Sequence, residues 1–398
     1  MTTMTSRIAL VYFDAGGGHR SAATALQQVI RQNGSAWQPD LVNLQEILDP
    51  LDVVRRLTGI RVQDVYNRML RSGWTLGSAQ LMRALQLIIR AYHVPSVRLL
   101  ESYWRNFQPD LVVSLVPHFN RALCQSLAAA CPGKPFVTVL TDFADYPPHF
   151  WIERQEQFLI CGSERAVEQA RRLGHAPEKI FETSGMILNP RFYDYPSVDR
   201  ARERERLGLD PSLATGLVLF GGQGSQVMLE IDRRLGRSSL PLQLIFICGK
   251  NESLGKTLRA QPSQRPRFVE GFTAEIPYYM QLADFLIGKP GPGSIAEAMV
   301  MDLPVIVERN AWTLPQERYN TEWVREKQVG LVVPNFRRID QTVAALLDPA
   351  TFFTFQSNIR HMHNRALFEI PVLLSQILAG STTAPAPANL TLPANSLH

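Results

Sequence analysis

Three glycine-rich stretches carry the side chains best suited to chemistry. The first, Asp14-Ala-Gly-Gly-Gly-His19-Arg20, joins an apolar run to a helix-like one. Its glycines let backbone approach a ligand without a Cβ in the way, and the helix start offers unpaired N–H groups to an anion. Asp14 or His19 is a base that could deprotonate an acceptor hydroxyl, although the same residues suit a tight turn in which His19 caps or packs. The stretch has neither the Lys-Ser/Thr of a P-loop nor the spacing of a dinucleotide fingerprint. The second, Phe220 to Ser225 (FGGQGS), could seat a pyrophosphate on Gly222, Gln223, Gly224 and Ser225. The third, Lys289 to Met299 (KPGPGSIAEAM), puts Gly291, Gly293 and Ser294 at a helix start, with Glu297 near the end of the first turn. A carboxylate there accepts hydrogen bonds from a ribose diol or favours the positive helix end. Gln316, Glu317 and Asn320 follow at a later helix start, with donors and acceptors suited to sugar hydroxyls.

Such turns need strands behind them and helices in front. Ile8 to Phe13 reads as a buried strand, and Ser21 to Gln32 has its apolar residues at helical spacing. Apolar runs at Leu111 to Leu115, Phe136 to Leu140 and Phe158 to Cys161 alternate with helix-like stretches, as in a parallel sheet covered on both faces. The alternation restarts with Gly216 to Phe220, Leu242 to Cys248, Phe268 to Phe272, Phe285 to Gly288, Val305 to Val307 and Leu331 to Val333. This predicts two α/β units: residues 1–195, a linker at 196–212 holding the exposed charge-alternating Arg202 to Arg206, and residues 213–379. Phe352 to Leu378 reads as helix interrupted at Pro371, and 380–398 as a disordered tail.

A chain of 398 residues with 45% hydrophobic and 19% charged content is a globular protein large enough for two cores, and neither disordered nor fibrous. The net charge of +5 favours anionic partners, and it is unevenly spread. Between Arg55 and Arg105 there are many arginines, no lysine, and only Asp64 and Glu101 as acids. With Tyr66, Trp74, Tyr92 and Trp104, and the apolar Leu81 to Ile89, the region Leu51 to Trp104 suits a layer of anionic membrane lipids, or an ordinary basic helix pair. Arginine and aromatics could also stack on nucleic acid, but no nucleic-acid module is recognisable, and no such partner is expected. The apolar run near the start is too short for a span or signal peptide, so a cytoplasmic protein, peripheral on the inner membrane face, is expected. Cys124, Cys131, Cys161 and Cys248 form no CxxC pair and read as buried free thiols.

The chain resembles the family of monogalactosyldiacylglycerol synthases and processive diacylglycerol glucosyltransferases, relatives of the peptidoglycan enzyme MurG. The matching stretches are DAGGGHR at Asp14 to Arg20, PDLVVSLVP at Pro109 to Pro117, Thr141-Asp142, CGSE at Cys161 to Glu164, Gly271-Phe272 and KPGPGSIAEAM. The resemblance implies an α/β chain of the GT-B fold, two facing Rossmann-like doubly wound domains with the acceptor held mainly by the first and a UDP-sugar mainly by the second. It implies a hexosyltransferase that moves galactose or glucose from UDP-hexose to diacylglycerol or a glycolipid acceptor, inverting the anomeric carbon. No cofactor is implied beyond the donor itself, and no metal; the chain contains no Asp-x-Asp. By the same resemblance the base is Asp14 or His19, the diphosphate lies on Gly222 to Ser225 and Gly293-Ser294, and uracil sits near Phe272. Glu297 then binds ribose, and Gln316 with Glu317 binds the hexose. The second-domain loop, GGQGS, is less glycine-rich than the family form, and FADYPPHFW follows Asp142 where the family has His-Pro. A UDP-sugar 2-epimerase on the same fold, or a non-catalytic lipid- or nucleotide-binding protein, are the alternatives.

Overall fold

The computed structural model describes residues 5–14, 17–34, 36–51, 87 and 89–380. Two parallel sheets of six strands each form its frame. In the first, β1 (Ser6–Tyr12), β2 (Trp37–Asn43), β3 (Leu111–Ser114), β4 (Phe136–Val139), β5 (Phe158–Cys161) and β6 (Ile180–Glu182) lie in the order β2-β1-β3-β4-β5-β6. In the second, β7 (Ala214–Leu219), β8 (Leu242–Ile247), β9 (Arg267–Glu270), β10 (Phe285–Gly288), β11 (Val305–Glu308) and β12 (Gly330–Val333) lie in the order β12-β11-β10-β7-β8-β9. Counted from β7, the second is the doubly wound order of a Rossmann sheet. Each order reverses direction once, between β1 and β3 in the first sheet and between β7 and β10 in the second. Crevices that hold ligands open at such reversals, beyond the carboxyl ends of the strands.

Central strands such as β3, β4, β8 and β10 are buried along their whole length, because helices cover both faces. The expected strands are present, together with β2 and β6 at the edges of the first sheet, which carry no continuous apolar run. β2 holds Pro39, which an edge position tolerates.

The helix expected to break at Pro371 breaks earlier, between Pro349–Arg360 and Ala366–Leu378, and the latter runs through Pro371. Although it falls within 213–379, its face of Ile370, Leu373, Leu374 and Ile377 joins the core of the first sheet beside Ile8, Leu10 and Leu26. The chain therefore crosses back and clasps the first unit. Between the units Phe143 stacks on Trp323, 4.6 Å between ring centres, and Phe143, Met186 and Leu188 share one apolar cluster with Leu217 and Leu286.

The charge-alternating helix Arg200–Arg206 forms, but it is not wholly exposed: Arg204 is buried, donating to the Leu282 carbonyl and pairing with Asp284 at 2.8 Å. Trp104 likewise leaves the set of residues read as membrane-facing. It is fully buried, donating through Nε1 to Ser126 Oγ at 3.0 Å. The basic segment 52–86, residue 88 and the tail 381–398 lie outside the described residues. All four cysteines are buried free thiols. Among the described residues no helix is long and apolar enough to cross a membrane.

Candidate active site

The turn after β1 gives its two candidate bases different surroundings. Asp14 is exposed, with its carboxylate 3.0 Å from the Arg20 guanidinium. His19 is half-buried near the start of the helix Gly18–Gln32, its Nδ1 3.1 Å from Thr141 Oγ1 and its ring 5.8 Å from that of Trp151. Loss of solvent pushes its pKa down to about 4, against a smaller upward pull from the Leu115 backbone. The imidazole is therefore neutral at pH 7 and has a lone pair to offer.

Thr141 and Asp142 follow β4, next in the sheet to β3. Asp142 is buried, and its Oδ2 accepts the Trp151 indole N–H at 2.9 Å. Burial raises its pKa to about 7; the Trp151 hydrogen bond opposes the rise, Glu317 adds to it, and Lys289 reduces it. Glu317 and Lys289 belong to the second unit, so charges from the two units act on each other across the cleft. His118, in the loop after β3, has a left-handed backbone (φ 68°) and a buried Nε2 without a hydrogen-bond partner.

At the reversal of the second sheet, the turns after β7 and β10 face the same crevice. Gly221 and Gly224 have φ of 71° and 62°, and a Cβ on Gly224 would lie 2.5 Å from the Cys248 carbonyl oxygen. Gly224 is thus a packing glycine, which β8 requires, whereas Gly222 and Gly293 have open space where a Cβ would go. Gln223 and Ser225 are half-buried, and Ser225 Oγ accepts from Val227 N at 3.4 Å. The helix Pro292–Val300 starts at Gly291 with no side-chain cap, leaving first-turn N–H groups such as those of Gly293 and Ser294 without intrahelical partners. Glu297 lies one turn in, its pKa raised to about 7 by burial.

Lys289 spans these turns. Its Nζ is 3.0 Å from Glu317 Oε1, and its Cε would lie 3.4 Å from a Cβ on either Gly221 or Gly291. Glu317 stands at the N-cap position of the helix Arg318–Glu326 without a side-chain capping bond and is buried, and the neighbouring Gln316 has a buried Oε1 without a hydrogen-bond partner. Asn320 is also buried; its Nδ2 donates to the Pro290 carbonyl at 2.8 Å and so ties this helix to the Lys289 turn. Phe272 stands apart at the end of β9, 66% exposed, with Lys250 Nζ 5.3 Å from its ring centre.

Residues 19–186 match the family model described as monogalactosyldiacylglycerol (MGDG) synthase, and 217–358 that described as glycosyltransferase family 28 C-terminal domain. The two matches divide between the two sheets. The chain is a glycosyltransferase, similar over its first unit to the monogalactosyldiacylglycerol synthases. A probable monogalactosyldiacylglycerol synthase 2 of Oryza sativa subsp. japonica, named chloroplastic, is 28% identical over 355 residues, covering 86% of this chain and 74% of its own. The monogalactosyldiacylglycerol synthase of Spinacia oleracea, also named chloroplastic, is 27% identical over 384 residues, covering 92% and 71%. Among solved structures, Acinetobacter baumannii MurG superposes with a TM-score of 0.60 at 13% identity, covering 93% of this chain and 99% of its own. Staphylococcus aureus MnaA, solved with UDP, gives 0.63 at 14%, covering 96% and 99%. At such identity these two speak to fold, which is GT-B.

In this glycosyltransferase, the structure gathers His19 with Thr141, Asp142 and Trp151 on one side of the cleft. On the other side it gathers Gly291, Glu317 and Asn320 with Lys289. Sequence reasoning quoted Thr141, Asp142 and Lys289 but gave them no role, and it passed over His118 and Trp151. A signal for Lys289 was available: a lysine directly after a buried strand and directly before a glycine turn is placed to meet an anion.

Proposed function

We propose that this transferase moves a hexose, galactose or glucose, from a UDP-sugar to a hydroxyl of diacylglycerol or a related lipid, with inversion. The observation that carries this reading is the pairing of a neutral, half-buried His19 on one side of the cleft with open glycine turns and an uncapped helix start on the other. His19 takes the acceptor proton as the hydroxyl oxygen attacks C1. Asp14 is the weaker candidate, since it is exposed and its carboxylate is paired with Arg20.

The bond from C1 to the β-phosphate breaks on the opposite face, and its electrons go to UDP. N–H groups of the turns around Gly222 to Ser225 and of Gly293 and Ser294 stabilise that charge without a resident metal or cofactor. Glu297 takes the ribose diol: its carboxyl is held in low dielectric, where a pair of hydroxyl donors counts for more than in water. Uracil lies against the exposed face of Phe272, and Gln316 with Glu317 receives the hexose hydroxyls. The lipid acceptor is supported by the names of the curated relatives, and it places the work at a membrane surface, with anionic lipids drawn by the net charge of +5. We propose the same location as the sequence suggests, cytoplasmic and peripheral on the inner membrane face.

The test is UDP release from UDP-galactose and UDP-glucose, with and without diacylglycerol in anionic micelles, with lipid products identified by mass spectrometry. The expected result is a lipid one hexose heavier, dependent on one donor. UDP-sugar turnover with no lipid product, or UDP binding with no turnover of either donor, sinks the reading.

A further inference from the structure

Lys289 is the last residue before the glycine turn that follows β10, where the order of the second sheet reverses. Its side chain runs over the glycine backbone of both turns. Its Cε is 3.4 Å from where a Cβ of Gly221 or of Gly291 would stand, and its Nζ is 3.7 Å from the latter. The ammonium thus lies between the turn after β7 and the turn after β10, while its ion pair with Glu317 (Nζ to Oε1, 3.0 Å) holds it at the rim of the hexose side. The lysine side chain is 43% exposed and the glutamate 10%, so the lysine is the partner with room to move. Lysine suits such a task, being a compact charge on a flexible stem.

We propose that the Lys289–Glu317 pair is an exchange device: donor binding draws Lys289 from Glu317 onto the diphosphate, and the freed Glu317 carboxylate accepts from hexose hydroxyls. The inference rests on the UDP-sugar reading above and deepens it. A diphosphate carries more charge than one carboxylate, and it would lie between turns that the lysine already spans. A buried carboxylate stripped of its cation needs donors, and the hexose brings them. The two events support each other, so a complete UDP-hexose binds better than its parts predict. When the C1–O bond breaks, its electron pair leaves with the β-phosphate oxygen, the acceptor proton goes to His19, and Lys289 meets the charge developing on the leaving group. Because that charge is larger in the transition state than in the donor, Lys289 contributes more to kcat than to donor binding.

The test uses the full chain with Lys289→Met, Lys289→Arg and Glu317→Gln, each first checked for an unchanged thermal unfolding midpoint. Uridine, UDP and the UDP-hexose that the wild type turns over are titrated by calorimetry, with kcat and KM measured in parallel. Lys289→Met should weaken UDP about 10- to 100-fold, the value of a charge-assisted hydrogen bond, and leave uridine within about twofold. Its kcat should fall further than KM rises, with part of the loss restored in Lys289→Arg. Glu317→Gln should leave UDP as tight as in wild type or tighter, since the competitor for the ammonium is gone, while UDP-hexose weakens. If Lys289→Met binds UDP like a wild type that itself binds UDP, or Glu317→Gln weakens UDP as much as Lys289→Met does, the exchange is overturned alone. A wild type that binds no UDP overturns the donor reading and this inference together.

Discussion

The turn after β1 and the turns after β7 and β10 hold equivalent places, each at the reversal of a parallel sheet, and they are furnished for opposite tasks. Around the first stand an imidazole, an indole and a carboxyl, packed together and drained of water, so that His19 sits near 4 and Asp142 near 7. Around the second stand open glycines, bare helix N–H groups and an ammonium paired with a carboxylate. Burial works against charge in the first set, lowering the pKa of His19 and raising that of Asp142. The second is polar and charged, fit to hold an anion. One fold thus repeats a crevice, and on the reading proposed above its side chains assign protons to one copy and phosphates to the other.

The sharpest way to break this comparison is His19→Ala. If the first crevice handles the proton and the second the nucleotide, kcat falls by about 10²- to 10⁴-fold, the usual worth of a general base, and UDP affinity measured by calorimetry does not change. The reciprocal change, Glu297→Ala, should weaken UDP about tenfold, or about 1.4 kcal/mol, with a smaller effect on kcat at saturating donor. Equal loss of UDP affinity in both variants would falsify the division.

Asp142→Asn sharpens the proton side. The folded-state pKa of Asp142, about 7, lies above the ordinary 3.8, so the folded chain keeps a proton that the unfolded chain releases. Its contribution is therefore complete below the ordinary value and lost as pH rises through about 7. His19, with a lowered folded value, acts in the opposite sense between about 4 and 6.5, but it is present in both proteins and cancels. Urea unfolding should show wild type losing stability relative to Asp142→Asn from pH 5 to 8, by at most about 1.4 kcal/mol per unit. Parallel curves would mean that the carboxyl is already ionised at pH 5.

How legible these crevices were in the sequence follows from which signals are local. The central strands and the glycine turns after them are contiguous in the chain: Ile8 to Phe13 leads into the turn with His19, and Phe285 to Gly288 into the turn with Lys289. Edge strands β2 and β6 lack that signal because water faces one side of them, and their pairing comes from the neighbour strand. Arg204 reads as an exposed charge until the Leu282 carbonyl and Asp284 arrive from residues far along the chain. The same holds for the site. Thr141 meets His19 across 122 positions, and Glu317 meets Lys289 across 28, distances at which spacing carries no information. The return of Ala366–Leu378 to the first sheet is likewise a property of packing.

The smallest effect tests whether the two crevices must be held in register. Phe143 follows Asp142 directly, and its ring stacks on Trp323, which lies in the helix that begins just after Glu317. One aromatic pair therefore links the floor of the proton side to the helix of the hexose side. Phe143→Leu keeps most of the volume in the shared apolar cluster and removes the stacking, worth about 0.5–1.5 kcal/mol beyond area. Neither His19 nor the glycine turns are touched. On the proposed division, in which UDP rests on the second unit and transfer needs both, the expectation is a drop of about two- to tenfold in kcat/KM for the donor, with UDP affinity unchanged. If UDP affinity falls in step with kcat/KM, the ring acts by holding the donor side in shape, and the alignment of the two crevices is set elsewhere in their interface.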